Sequence, residues 1–141
     1  MPVPILDSGV EALLWQAALA AQRRAYAPYS RFLVGAAVLD EQGRVHAGCN
    51  VENAAYPQGV CAEAGALSAM VMAGGHKVVA ALVLGDGAGL VTPCGGCRQK
   101  LREFAAPETL ILIADRKEIR ARFTLAQLLP ESFGPDHLTT I

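Results

Sequence analysis

Apolar and polar positions along the chain change their rhythm several times, and each change marks an element. Val10, Leu13, Leu14, Ala17, Ala18 and Ala21 recur at helical spacing, and Ser8 with Glu11 fits a capping box ahead of them. A first helix is therefore expected over about residues 8–25. After Ala27-Pro28-Tyr29-Ser30 the pattern shifts to FLVGAAVLD, a turn at Glu41-Gln42-Gly43-Arg44, and VHAGCNVE, which reads as a two-stranded hairpin. Asn53 to Gly59, with Pro57, is a loop. A second helix starts near Cys61 and stops at Gly74-Gly75. VVAALVLG is a short apolar run of the kind found in buried strands. The glycine-rich GDGAGLVTP leads to Cys94 and a third helix that runs to about Phe104, with Pro107 marking its exit. TLILIAD is another buried strand, a shorter one follows near Ile119 to Phe123, and Thr124 with Gln127 caps a last short helix through Leu129. Helix, hairpin, helix, strand, helix, strand, strand is an α/β arrangement in which helices cover a mixed sheet. No repeat, linker or low-complexity stretch divides it, so residues 1–141 are expected to form a single domain.

Composition narrows the function classes. At 52% hydrophobic and 6% aromatic residues the core is built from Ala, Val, Leu and Ile. A formal net charge of −1 argues against a protein that grips nucleic acid through many phosphates. The longest apolar run, Val78 to Leu84, falls far short of the roughly 20 residues a membrane helix needs. The N-terminus carries no basic residue before Arg23 and no cleavage-site pattern, so it does not read as a signal peptide and a cytoplasmic location is expected. In that compartment Cys49, Cys61, Cys94 and Cys97 stay reduced, and the Cys94-x-x-Cys97 pair becomes a candidate for metal or redox chemistry rather than a disulfide.

Cys61, Cys94 and Cys97 each stand at or near a predicted helix start, where unpaired backbone N–H groups stabilise thiolates. Three clustered thiolates call for a cation. Zn²⁺ suits sulfur, and three protein ligands leave the fourth tetrahedral position open, as in catalytic rather than structural sites. Side chains two apart on a helix diverge by roughly 200°, so Cys61 and Glu63 meet only at the helix end, where Glu63 can exchange protons with a bound water and a substrate nitrogen. Two other readings of the spacing stay open: a closed four-cysteine structural zinc site, disfavoured by the wide separation of Cys49 and Cys61, and a redox Cys-x-x-Cys.

Cys61-Ala62-Glu63 together with Pro93-Cys94-Gly95-Gly96-Cys97 matches the zinc-deaminase signature in its three-cysteine form. More widely, YAPYSRFLVGAAV (Tyr26 to Val38), GCNVENAAYPQGVCAE, PCGGCRQKLREF and LLPESFGPDHL appear in order, and the chain resembles the homotetrameric cytidine deaminases over nearly its whole length. The resemblance implies a three-layer α/β/α fold around a mixed five-stranded sheet. It implies one zinc per subunit on Cys61, Cys94 and Cys97, and hydrolysis of cytidine and deoxycytidine to the uracil nucleosides and ammonia. Glu63 would carry protons first to ring N3 and then to the departing amine.

The same resemblance implies further roles. Asn50 and Glu52, expected to share one face of a strand, correspond to a clamp on the ribose hydroxyls; a negative Glu52 there disfavours phosphorylated ligands. Phe32 corresponds to an aromatic packed on the base, and Ala62 to part of the substrate site. Phe133 corresponds to a residue lent to a neighbouring subunit, and Tyr56 to a subunit junction, so active sites are expected to be completed across a homotetramer. Arg98 and Gln99 are candidates for support around the metal.

Cys49, His46, His76 and His137 are expected outside the site, and Arg23-Arg24 with Arg116, Lys117, Arg120 and Arg122 on solvated faces. Ala64 stands where many family members carry arginine. The offset to three thiolates must then come from helix N-termini, from Arg98, or from nowhere. Two competing functions remain: a zinc deaminase for another cytosine compound resembling blasticidin S, which the Asn50/Glu52 pair argues against, and a non-catalytic zinc-stabilised oligomer, which has no use for Glu63.

Overall fold

The computed structural model describes residues 3–138. Five strands form one mixed sheet in the order β2-β1-β3-β4-β5. β1 (Val34–Asp40) pairs antiparallel with both β2 (Val45–Cys49) and β3 (Val78–Gly85); β3 runs parallel to β4 (Leu110–Ala114), and β5 (Ile119–Thr124) closes the far edge antiparallel. The parallel pair needs a crossover, and helix α3 (Gly95–Phe104) supplies it. Helix α2 (Ala62–Met72) connects β2 to β3, and helix α4 (Leu125–Leu128) follows β5 with the expected Thr124/Gln127 capping box.

Strand alternation sorts the core into two layers. Ala37, Leu39, Ala80, Leu82, Leu84, Leu110 and Leu112 pack against Leu14 and Ala18 of helix α1 (Ser8–Gln22). From the other face Ala36, Val38, Ala81, Ile111 and Ile113 meet Ala66, Leu67 and Met70 of α2, Leu101 of α3 and Leu125 of α4. The result is the three-layer α/β/α arrangement expected from the resemblance.

Several local expectations differ from the structure. Asp7, not Ser8, caps α1: its carboxylate accepts from Gly9 N at 2.6 Å, and the helix ends at Gln22 rather than near residue 25. Strand β2 ends at Cys49, so Asn50 and Glu52 lie just beyond it on either side of Val51, which bridges to both Tyr26 and Val60. Arg120 is half-buried and Arg122 stays exposed as expected, yet both have partners. Arg120 donates to the carbonyls of Gly87, Ala88 and Gly89, and Arg122 pairs with Glu11 of α1. His46, expected at the surface, is bonded at 2.8 Å to the buried Asp40 carboxylate. Burial alone would raise that carboxyl, but the bonds from His46, Arg44 and Gln42 hold it well below the usual range. Arg44 also donates to Ala73 O, which ties the hairpin turn to the C-terminal end of α2.

Helix α2 sits against β2 at a separation that only glycine permits. A Cβ on Gly48 would lie 2.5 Å from Ala62 O and 2.6 Å from Gly65 C, inside the backbone of the turn that carries Glu63. Gly35 has the same relation to α1 on the opposite face, where an added Cβ would lie 2.7 Å from Gln22 N. Both substitutions force backbone apart and are expected to cost about 1–3 kcal/mol or more. Gly48→Ala is expected to lower turnover well beyond its loss of stability, whereas Gly35→Ala lowers stability with kcat largely kept. Urea midpoints and steady-state kinetics of the two variants, measured side by side, check this; equal kcat in both would show that the α2 approach does not set the geometry of the site.

Candidate functional site

Two helices begin at the site. Cys61 occupies the N-cap of α2 and Cys94 the N-cap of α3, positions where Ser, Thr, Asp or Asn usually stand; Cys97 lies in the first turn of α3. The crossover topology brings these helix starts together, and the three sulfurs lie within 4.8 Å of one another, with Cys61 Sγ and Cys94 Sγ 3.9 Å apart. A tetrahedral zinc with ordinary Zn–S bonds spaces its sulfurs by about 3.8 Å. The donor set therefore fits zinc in spacing as well as in chemistry. Cys49 lies outside this trio, as expected.

Burial pushes the Cys61 and Cys97 thiols up, and neighbouring charges push Cys97 further, while the Cys97 backbone N–H draws the Cys94 thiol down. The trio can be fully ionised only with a cation among the sulfurs. Glu63 is buried in the first turn of α2, and burial holds its carboxyl above the ordinary range despite the opposing pull of its own backbone N–H, of the Cys97 thiol and of Lys100. Glu63, Cys61 and Cys94 line a cavity of about 310 Å³, which also takes in Ser30, Phe32, Val34, Asn50, Glu52, Ala62, Val83, Val91 and Thr92. Its size suits a small ligand, for which cavities of roughly 300–1,000 Å³ are usual.

Asn50 and Glu52, which line the same cavity, hold the loop that carries Phe32. Asn50 accepts from Val34 N and donates to Phe32 O, both at 2.8 Å. Glu52 accepts from the Ser30 hydroxyl and from the backbone N–H groups of Tyr29 and Ser30 at 3.0 and 3.1 Å. The Ser30 hydroxyl above all keeps Glu52 below the ordinary carboxylate range, so the group is an anion. One N–H of Asn50 and remaining lone pairs of Glu52 are left for a ligand's hydroxyls. Phe32 is 44% exposed at the cavity edge.

Ser30 has a part here, as donor to Glu52, that the resemblance did not assign to it. The signal was there: a hydroxyl four residues before the strand, on the segment that must close over a carboxylate.

Other expected residues lie apart from this cavity. Tyr56 is 76% exposed and meets Tyr29 edge to face, with ring centres 5.9 Å apart, beside a second hollow that Ser30 and Glu52 also line. Phe133 is 57% exposed. Arg98 donates to Pro93 O, Leu128 O and Thr92 Oγ1, so it braces the loop that delivers Cys94 and makes no bond to a sulfur. Gln99 is turned the other way, to Phe133 O at 2.9 Å. Ala64 faces a larger apolar groove of about 810 Å³ between α2 and α3.

Known proteins share this arrangement. Residues 10–113 match the family described as the cytidine and deoxycytidylate deaminase zinc-binding region. The cytidine deaminase of Mycobacterium tuberculosis is 44% identical over 114 residues, covering 81% of this chain and 82% of that protein. The cytidine deaminase of Sporosarcina psychrophila is 40% identical over 119 residues, covering 84% and 88%. The crystal structure of cytidine deaminase from Burkholderia pseudomallei superposes with a TM-score of 0.81 at 40% identity, over 86% of this chain and 98% of that one. A profile match over most of the chain, relatives of matching length and a three-thiol site at two helix starts lead to one placement: the chain belongs to the cytidine and deoxycytidylate deaminase zinc-binding family.

Proposed function

We propose that this chain hydrolyses the exocyclic amine of cytidine and deoxycytidine, releasing ammonia and the uracil nucleoside. The observation that carries the reading is the position of Glu63: a buried carboxyl at a helix start, beside three thiols, on the wall of a cavity that also holds an amide and a carboxylate. Zinc, when held by Cys61, Cys94 and Cys97, lowers the pKa of water and so supplies a nucleophile at neutral pH.

The chain's own groups do the rest. Glu63 takes a proton from the attacking water and gives it to ring N3, which makes C4 electrophilic. It then takes the second proton and delivers it to the amine, which leaves as ammonia. Both protons of the water thus end on the products. Asn50 and Glu52 bind the sugar hydroxyls, Phe32 packs on the base, and Ala62 completes the wall beside Glu63. The negative Glu52 turns away a phosphorylated sugar, which supports free nucleosides as the substrate class.

The working unit is a homotetramer in the cytoplasm, each subunit a single domain carrying one zinc, with Phe133 and Tyr56 reaching across to neighbours. Large exposed apolar groups support assembly: Met72 is 90% exposed at the lip of the α2–α3 groove, alongside Tyr56 and Phe133. Among the described residues no helix is long and apolar enough to cross a membrane.

Three outcomes are expected. Glu63→Gln keeps zinc content and assembly but loses on the order of 100- to 10,000-fold in kcat, followed as the loss of cytidine absorbance; turnover at the parent rate would remove Glu63 as the proton carrier. Dialysis against a chelator abolishes turnover and lowers the thermal midpoint, and added Zn²⁺ restores both. Undiminished turnover at zero measured metal would overturn the zinc assignment. Dilution until sedimentation shows only monomers should abolish activity, so a fully active monomer would refute the shared active site.

A further inference from the structure

The ten residues after α4 are attached in an unusual way. Phe133 and Leu138 stay exposed, so the segment is not fastened by burying its large apolar groups. Polar side chains of one helix, α3, hold it instead. Gln99 donates to Phe133 O at 2.9 Å, Arg102 Nε donates to Ser132 Oγ at 2.9 Å, and Arg102 Nη2 donates to Asp136 Oδ1 at 2.6 Å. Residues 99 and 102 lie three apart and so share a helix face.

Arg102 is the centre of this attachment. It is buried, and its two bonds fall on Ser132 and Asp136, on either side of Phe133. Gly134 lies flat on the guanidinium, so close that a Cβ there would come within 2.6 Å of Nη2. The Phe133 ring is stacked on His137 with centres 5.1 Å apart, and His137 is fixed in turn by the Gly134 backbone. A tail that merely needed tucking away would bury Phe133. Here the backbone on both sides of the ring is pinned while the ring itself is turned outward.

We infer that Arg102 is a positioning residue: by bridging Ser132 and Asp136 beneath Gly134, it sets the direction and reach of Phe133 into the neighbouring subunit's nucleoside site. This rests on the shared active site proposed above. Arginine suits the task because its planar fork reaches two acceptors at fixed angles, which a lysine cannot do. The pull of the guanidinium also keeps the Asp136 carboxyl below the ordinary range, so the bond is charge-assisted at neutral pH.

The test compares Phe133→Ala, Arg102→Gln and the double variant in the zinc-loaded protein, reading KM and kcat for cytidine, sedimentation and zinc content. Phe133→Ala is expected to raise KM about tenfold. Arg102→Gln should raise KM by a similar factor with kcat within about twofold and the assembly and zinc unchanged, and the double variant should be no worse than Phe133→Ala alone. A merely structural arginine would instead add its effect to that of Phe133→Ala, which overturns the inference. So does a parent-like KM in Arg102→Gln. Should that variant fail to assemble, Asp136→Asn at a position 64% exposed on its side chain removes one arm of the bridge without emptying a buried site. It should raise KM by a smaller factor, and only when Phe133 is present; no rise overturns the clamp. If Phe133→Ala leaves KM unchanged in an intact assembly, the shared site falls and the clamp with it. If Phe133→Ala raises KM and the Arg102 and Asp136 variants do not, the clamp alone falls.

Discussion

Three sulfurs within 4.8 Å of one another are the constraint on which the rest of this structure depends. Such a group is tolerable only where positive potential gathers, and two helix N-termini aimed at one point provide it. That convergence requires α2 and α3 to lie side by side on one face of the sheet, each entering from a loop at the same end. It also requires α2 to ride close on β2, which the glycine at position 48 allows. The alanine-rich composition of α2 follows from the same demand. Ala62 and Ala66 are fully buried against the sheet, and bulkier residues there would lift the turn that carries Glu63 away from the sulfurs.

The elements were legible in the sequence because their periods are distinct. β3 and β4 are unbroken apolar runs with helices on both sides, and the thiol motif sits at two helix starts where backbone chemistry explains it. What escaped were polar contacts between segments far apart in the chain. His46 looks like a surface residue until Asp40 is placed beside it, and Arg122, though exposed, reaches across to Glu11; no local pattern announces either partner. Glu11 illustrates the point: its three-residue spacing from Ser8 suggests a capping box, yet its carboxylate serves β5 across the fold. Asn50 and Glu52 were legible as a pair but not as residues outside the strand, because Val51 makes isolated bridges that imitate one.

The Asn50/Glu52 pair does two jobs with one set of atoms. Its bonds to the backbone of residues 29–34 hold the Phe32 loop at the cavity edge, and in the proposed function its unused capacity would meet the sugar hydroxyls. On that proposal the site gains pre-organisation, since the groups assigned to the sugar are already fixed by their bonds to the loop assigned to the base. The same bonds would couple the two ends of the substrate, because a change at Asn50 frees the Phe32 carbonyl it holds.

The charge question raised by Ala64 is narrowed by the same geometry. Zinc with three thiolates carries a formal charge of −1, and of the sources named from sequence Arg98 is directed to Pro93, Leu128 and Thr92 and bonds no sulfur. Its effect on the site is to hold the Cys94 loop in place. Ala64 itself opens onto the α2–α3 groove, and Lys100, which lines that groove, is the cation whose field reaches Glu63. Of those sources the helix starts make the contact seen, that of the Cys97 backbone N–H with Cys94, and such N–H groups are fixed in direction and do not depend on a side chain's rotamer. An arginine at position 64 would have to lay its stem along a groove already flanked by Lys100. With the alanine, the groove keeps its apolar floor beside the Lys100 charge.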